Sequence, residues 1–260
     1  MCYKCLPQTD SLPDLALHTA LYDALESGAG TEALRVWESA ARVVVLGRSG
    51  VISRDVWADA CAADGVAIVR RDSGGGAVVL GPGCLNYALV LSLERRPQLR
   101  DVRASYRQIL GWLVRRLAVP GLEISAGSDL AIAGRKVSGN AQRRGARALL
   151  HHGTLLYAFD ARAAERYLKE PARRPDYRGD RRHAEFLGNL PLSVRQIRDA
   201  LHCKPGTAQT GRLKPGDRQD WQRISGKMRR KSMPVLSVPG GQNFMPSSFL
   251  PASFAIPKGP

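Results

Sequence analysis

The chain has 260 residues and a formal net charge of +16. That length suits one large domain, with or without a short appendage; 44% hydrophobic content suits a globular core, and five cysteines are too few for a disulfide scaffold. No run approaches the ~18 apolar residues of a membrane-spanning helix, and residues 1–18 hold no apolar core of signal-peptide length, so an integral membrane protein is excluded and the cytoplasm is the expected compartment.

Taken in chain order, residues 13–27 predict a helix, with Leu12, Leu15, Leu21 and Leu25 near helical spacing and Gly28 and Gly30 at its end. Short Val-rich strands are expected at 34–37 and 42–46, one helix at 53–63, and a strand at 66–70. The glycines of Ser73-Gly74-Gly75-Gly76 then interrupt regular structure. Strands resume at 77–80 and 85–93. A helix at 99–117 presents Val102, Tyr106, Ile109, Leu110, Leu113 and Leu117 on one side. Strands at 129–133, 136–142 and 148–159 and helices near 161–168 and 193–201 complete the pattern. Paired strands with helices between them predict an α+β fold with a mixed, largely antiparallel sheet flanked by helices.

Residues 201–260 carry ten Lys or Arg against Asp217 and Asp220, so 10 − 2 = +8 lies there, with eight of the sixteen prolines. Such a composition predicts a basic, Pro/Gly-rich, disordered tail, and places any catalytic domain in residues 1–200. As a nucleic-acid-binding arm the tail lacks an aromatic stacking platform or a reading motif, so nucleic acid ranks low among the expected partners.

Three clusters carry candidate chemistry. In the first, Arg70 and Arg71 precede Ser73, Gly74, Gly75 and Gly76; successive loop amides with two guanidinium groups suit an anion, although a bare glycine hairpin has the same composition. Neither a P-loop nor a dinucleotide fingerprint is present. In the second, strand alternation is expected to put Lys136, Ser138 and Asn140 on one face. In the third, His151 and His152 must point to opposite faces, so they do not make a zinc site by themselves, and no metal site is expected. A hairpin through residues 143–147 should join the last two clusters.

The order R-R-x-S-G-G-G-A-V, D-L-x-x-x-G-R-K-V-S-G-N-A-Q and H-H-G-T-L-L resembles the lipoate–protein ligase A family, within the biotin/lipoyl protein ligase and octanoyltransferase superfamily. The likeness extends more weakly from about residue 12 to 190, including V-V-L-G-R-S at 44–49. It implies a biotin/lipoyl protein ligase-like catalytic domain with its ligand lying across the sheet. It implies activation of lipoate or octanoate by ATP, with Mg2+, to an acyl-adenylate, then transfer to a lysine of an acceptor lipoyl domain. The acceptors implied are lipoyl domains of 2-oxoacid dehydrogenases or the glycine cleavage H protein. Lys136 matches the family's essential lysine. Arg70, Arg71, Ser73, Gly74, Gly75, Gly76, Asp129, Ser138, Gly139, Asn140, His152, Gly153 and Thr154 match positions around the acyl-adenylate, and Val78, Val79 and Leu89 could supply an apolar slot for the acyl chain. Where many relatives carry aromatic-His-Asp-x-Gly-Asn after G-G-G-A-V, this chain has Val79, Leu80, Gly81, Pro82, Gly83 and Cys84. The alternative within the superfamily is an ATP-independent octanoyl or lipoyl transferase fed by acyl carrier protein, with Cys84 as its nucleophile.

Overall fold

The computed structural model describes residues 4–5 and 13–201, with side chains from residue 17 onward. The basic stretch expected as a tail lies, from residue 202 on, outside the described residues. Among the described residues no helix is long and apolar enough to cross a membrane.

Among the described residues, ten strands form two sheets. They are β1 (Lys4–Cys5), β2 (Ala33–Glu38), β3 (Val43–Leu46), β4 (Ala67–Arg70), β5 (Val78–Leu80), β6 (Cys84–Ser92), β7 (Leu122–Ser125), β8 (Asp129–Ile132), β9 (Arg135–Arg144) and β10 (Ala148–Leu156). The large sheet runs β1-β2-β6-β10-β9-β8-β7, antiparallel throughout except for β1 with β2. The small sheet runs β4-β3-β5, with β3 and β4 parallel. The helices are α1 (Pro13–Glu26), α2 (Ile52–Asp55), α3 (Ala58–Ala63), α4 (Val102–Leu117), α5 (Ala161–Tyr167), α6 (His183–Phe186) and α7 (Val194–Leu201). The fold is therefore the mixed, largely antiparallel α+β architecture that the pattern predicts.

The large sheet is buried on both faces, which is why every residue of β6 is apolar, small or uncharged and all nine are buried. On the rear face, Leu34, Val36, Leu85, Tyr87, Leu89, Leu149 and Leu155 pack against Ile109, Leu110, Leu113 and Leu117 of α4 and Ile197 of α7. On the front face, Ala88, Val90, Leu150 and Leu156 pack toward Tyr22 of α1 and the Val-rich small sheet. Asp101 caps α4 by accepting from the Ala104 amide at 2.7 Å, and Ala118 ends it with φ of 49°.

Four details depart from the sequence pattern. The single helix expected at 53–63 breaks at Val56, which is buried and bridges Leu168 in extended conformation while the Trp57 amide donates to the Tyr167 carbonyl at 2.9 Å. Val102 opens α4 at 49% exposure, outside its apolar face. Leu89 points to the rear core, so it does not share a slot with Val78 and Val79, which pack with the front core. The strand β7 and the short helix α6 were not visible as patterns, being only four residues each.

Candidate active site

The glycine loop lies on the end of the small sheet. A Cβ on Gly47 would sit 2.0 Å from the Gly75 carbonyl oxygen, so the glycine of V-V-L-G-R-S is what lets the loop close down. Gly75 takes φ of +94°, which favours glycine. Arg71 is buried and staples the loop from within. Its Nη2 donates to the carbonyls of Gly74 and Gly76 at 2.7 and 2.9 Å, its Nη1 to the Val45 carbonyl at 3.2 Å, and its Nε to Ser73 Oγ at 3.1 Å. That desolvation pulls its pKa down to about 10. Arg70 Nη1 donates to the carbonyls of Gly47, Arg48 and Gly50. Both arginines thus shape loops by binding carbonyls, where the sequence suggested donors for a ligand. The amides of Gly74, Gly75 and Gly76 find no acceptor among the described residues.

Ser73 also reaches the large sheet. Its Oγ accepts from Arg71 Nε and shares a hydrogen bond of 2.6 Å with His152 Nε2. His152 is stacked on His18 of α1, with ring centroids 5.3 Å apart, and His18 leans on Trp37. Burial, then the neighbouring His18 and Arg71, hold the His152 pKa well below its usual value, so its ring is neutral at pH 7.

Lys136 reaches the same front face through a β-bulge. Asp129 pairs with Gly139 and Leu130 with Ser138, but Ala131 pairs with Lys136, so Val137 is the extra residue. The bulge reverses the expected alternation. Lys136 shares a face with Gly139, whereas Ser138 and Asn140 turn to the rear, where Asn140 Nδ2 donates to Ser138 Oγ at 3.2 Å. The expectation of Lys136, Ser138 and Asn140 on one face is corrected accordingly. Lys136 lies across Gly139, whose missing Cβ would stand 2.8 Å from Lys136 Cε, and its Nζ pairs with Asp129 Oδ1 at 2.8 Å. Asp129 is buried, and its other oxygen accepts from Tyr177 Oη at 2.8 Å. Thr154 Oγ1 accepts from the Gly139 amide at 3.4 Å, which sets Thr154 beside the lysine. Gly153 belongs to the rear: a Cβ there would lie 1.9 Å from Asn140 Oδ1.

Front-face geometry therefore brings together Lys136, Asp129, Gly139, Thr154, His152 and Ser73 with the glycine loop. It sets Ser138, Asn140 and Gly153 behind the sheet. Cys84 is fully buried in the front core, and burial, then Glu38, push its thiol pKa far up. Cys84 pairs with Leu156 and Ala88 with His152, so four residues of β6, about 13 Å at 3.3 Å each, separate the thiol from the imidazole row. His18, Tyr177 and Gln142 escaped the sequence reading. Gln142 lay inside a quoted motif, while His18 and Tyr177 stand in segments with no chemical signature.

Residues 10–205 match the model of the lipoyl protein ligase A/B catalytic domain. The chain belongs to that family. A lipoate–protein ligase of Streptococcus pyogenes is 28% identical over 64% of this chain and 52% of its own length. The octanoyltransferase LipM of Kyrpidia tusciae is 28% identical over 78% of this chain and 85% of its own. This lipoyl-ligase-family chain spans about half the length of the lipoate–protein ligases it matches. Two solved structures share the fold: lipoate–protein ligase A bound with ATP, with a TM-score of 0.62 at 24% identity over 77% of this chain and 82% of that one, and a bipartite lipoate–protein ligase of Thermoplasma acidophilum studied with its E2 lipoyl domain, with a TM-score of 0.61 at 24% identity over 75% and 78%.

Proposed function

We propose that this chain activates lipoate or octanoate with ATP as the acyl-adenylate and transfers the acyl group to a lysine of a lipoyl domain. The observation that carries this is the Lys136–Asp129 pair, held at 2.8 Å over Gly139 on the face shared by Ser73 and His152. A cation fixed there stabilises charge as it develops on the α-phosphate in the first step and on the acyl oxygen in the second. Asp129 stops Lys136 from wandering, and Tyr177 in turn holds Asp129. The amides of Gly74, Gly75 and Gly76 supply neutral donors for the phosphate, with Arg71 keeping the loop in shape. In the transfer step the acceptor amine bonds to the carbonyl carbon, the bond to the AMP oxygen breaks, and the amine's proton leaves to solvent.

The relatives named lipoate–protein ligase and the ATP-bound neighbour support ATP as co-substrate, and the Thermoplasma ligase's E2 lipoyl domain supports an acceptor of that class. The glycine cleavage H protein is an acceptor of the same chemical type. As to Mg2+, no group of three His, Cys, Asp or Glu among the described residues could cage it, and Asp129 is already shared by Lys136 and Tyr177. A magnesium ion would enter on the nucleotide phosphates, with these residues adding no cage of their own.

The likeness to LipM favours a second donor, an octanoyl thioester on acyl carrier protein. Cys84 is poorly placed to serve that route, since it is fully buried and stands about 13 Å along β6 from the imidazoles. One mass measurement decides between them. An apo lipoyl domain incubated with lipoate, ATP and Mg2+ should gain one lipoyl group, and Lys136→Ala should abolish the gain. Gain only from octanoyl carrier protein without ATP would select the transferase, and no gain from either would end both.

A further inference from the structure

A buried chain of hydrogen bonds runs behind the site, on the sheet face that packs against α4. Its direction follows from counting hydrogens. Tyr87 Oη meets both Asn140 Oδ1 and His151 Nε2, the latter at 3.0 Å. Burial lifts the phenol pKa well above its usual value, so Tyr87 keeps its single hydrogen. The Ser128 carbonyl can only accept, so the Asn140 amide nitrogen faces it, at 2.8 Å, and the Asn140 oxygen faces Tyr87. Tyr87 therefore donates to Asn140, and His151 Nε2 must carry a hydrogen and donate to Tyr87. His151 is fully buried, and that burial pushes its pKa down to about 3, so its ring is neutral and Nδ1 is bare. Gln142 Nε2 donates to that nitrogen at 2.9 Å, and Gln142 Oε1 accepts from Arg144 Nη1 at 2.8 Å. Every link points the same way, from the Arg144 guanidinium to the carbonyl of the Ser128–Asp129 peptide. Links aligned in series polarise one another. Gly153 makes room for the chain, since any side chain there would strike Asn140.

We infer that Tyr87, His151, Gln142 and Asn140 are positioning residues, which hold the Ser128–Asp129 peptide from behind the sheet so that Asp129 can hold Lys136. The inference concerns no contact with substrate, and its kinetic arm rests on the acyl transfer proposed above. It also explains why two polar residues of the second motif turn away from the ligand face.

Two variants of the full chain test it. Tyr87→Phe deletes two links, the bond from His151 and the bond to Asn140, and keeps the ring. Gln142→Glu, ionised beside Arg144, offers only acceptors; His151 must then move its hydrogen to Nδ1, Tyr87 must donate to His151, and Asn140 loses its donor. In both variants kcat should fall about tenfold, the equivalent of one hydrogen bond, with the acceptor KM within about twofold. Independently of activity, an amine-reactive reagent should label Lys136 faster in both, as mapped by peptide mass. Nitrogen NMR should show His151 protonated on Nε2 in the wild type and on Nδ1 in Gln142→Glu. Wild-type His151 protonated on Nδ1 would overturn the inference, as would wild-type kcat and Lys136 labelling in both variants. A wild-type protein that transfers no acyl group would defeat the proposed function instead, while Lys136 labelling and the His151 signals would still decide the relay.

Discussion

Lys136 and the two glycines near it separate chemistry from packing one atom at a time. A Cβ on Gly139 would meet only the flexible end of Lys136, at 2.8 and 3.0 Å. Gly139→Ala should therefore fold with little loss of melting temperature and still lose activity, because the ammonium group is pushed off Asp129. A Cβ on Gly153 would meet the Asn140 amide at 1.9 Å and the Gly139 carbonyl oxygen at 2.8 Å, neither of which can swing aside. Gly153→Ala should cost about 1–3 kcal/mol of stability, readable from a denaturant midpoint. Comparable melting temperatures for the two variants would contradict this division. Lys136→Arg should not rescue Lys136→Ala: a planar guanidinium is too broad for a slot already filled over Gly139, so both variants should leave the acceptor without its acyl group. The residues of this set were legible in the sequence as types in a motif. Their division between two faces was not, because it depends on one extra residue in β9 that no alternation of side chains announces.

At the scale of elements, β2 is tied to β6 by a carboxylate at its entry. Glu32 accepts from the Ser92 amide at 3.0 Å and from Arg96 at 2.8 and 2.9 Å while nearly buried. Burial alone would raise its pKa, but the Arg96 and Ser92 donors outweigh that and leave it lowered. A lowered folded-state pKa means stabilisation that is fully present above the unfolded value, about 4.3, and lost as pH falls through the folded one. Glu32→Gln should thus destabilise by about 1–3 kcal/mol at pH 7 and flatten the acid limb of the stability curve. An unchanged difference between wild type and variant from pH 7 to pH 3 would refute the linkage. Most elements were readable because periodicity is local: β6 as a strand, α4 as an amphipathic stripe. What escaped was set from a distance. Val56 is pulled out of a helix by its bridge to Leu168, and β7 has only β8 to define it.

At the scale of the molecule, the charge looks different once its partners are known. Seven cations lie in or beside the three motifs, Arg70, Arg71, Arg135, Lys136, Arg143, Arg144 and Arg147, yet most are occupied elsewhere. Arg70 and Arg71 hold loop carbonyls, and Arg135 holds the carbonyls of Ala184 and Leu187. Arg144 feeds the rear relay, Arg147 pairs with Glu94, and Arg143 ties Asp23 to Asp72. The net excess of residues 1–200, 39 − 10 = 29 basic against 23 − 2 = 21 acidic, is then a field over the surface rather than a cluster of ligand contacts. For the acyl transfer proposed above, such a field would speed the approach of an acidic acceptor domain and leave the chemical step alone. Raising salt from about 50 to 300 mM should lift the acceptor KM on the order of threefold or more, with kcat unchanged, since screening shortens the field to a few ångströms. The +8 of residues 201–260 could produce the same response, so the test needs a second chain ending at residue 205, where the family match stops. If the catalytic domain steers its acceptor, the shortened chain keeps its activity and most of the salt response. A shortened chain whose KM no longer depends on salt would move the steering to the basic C-terminal stretch.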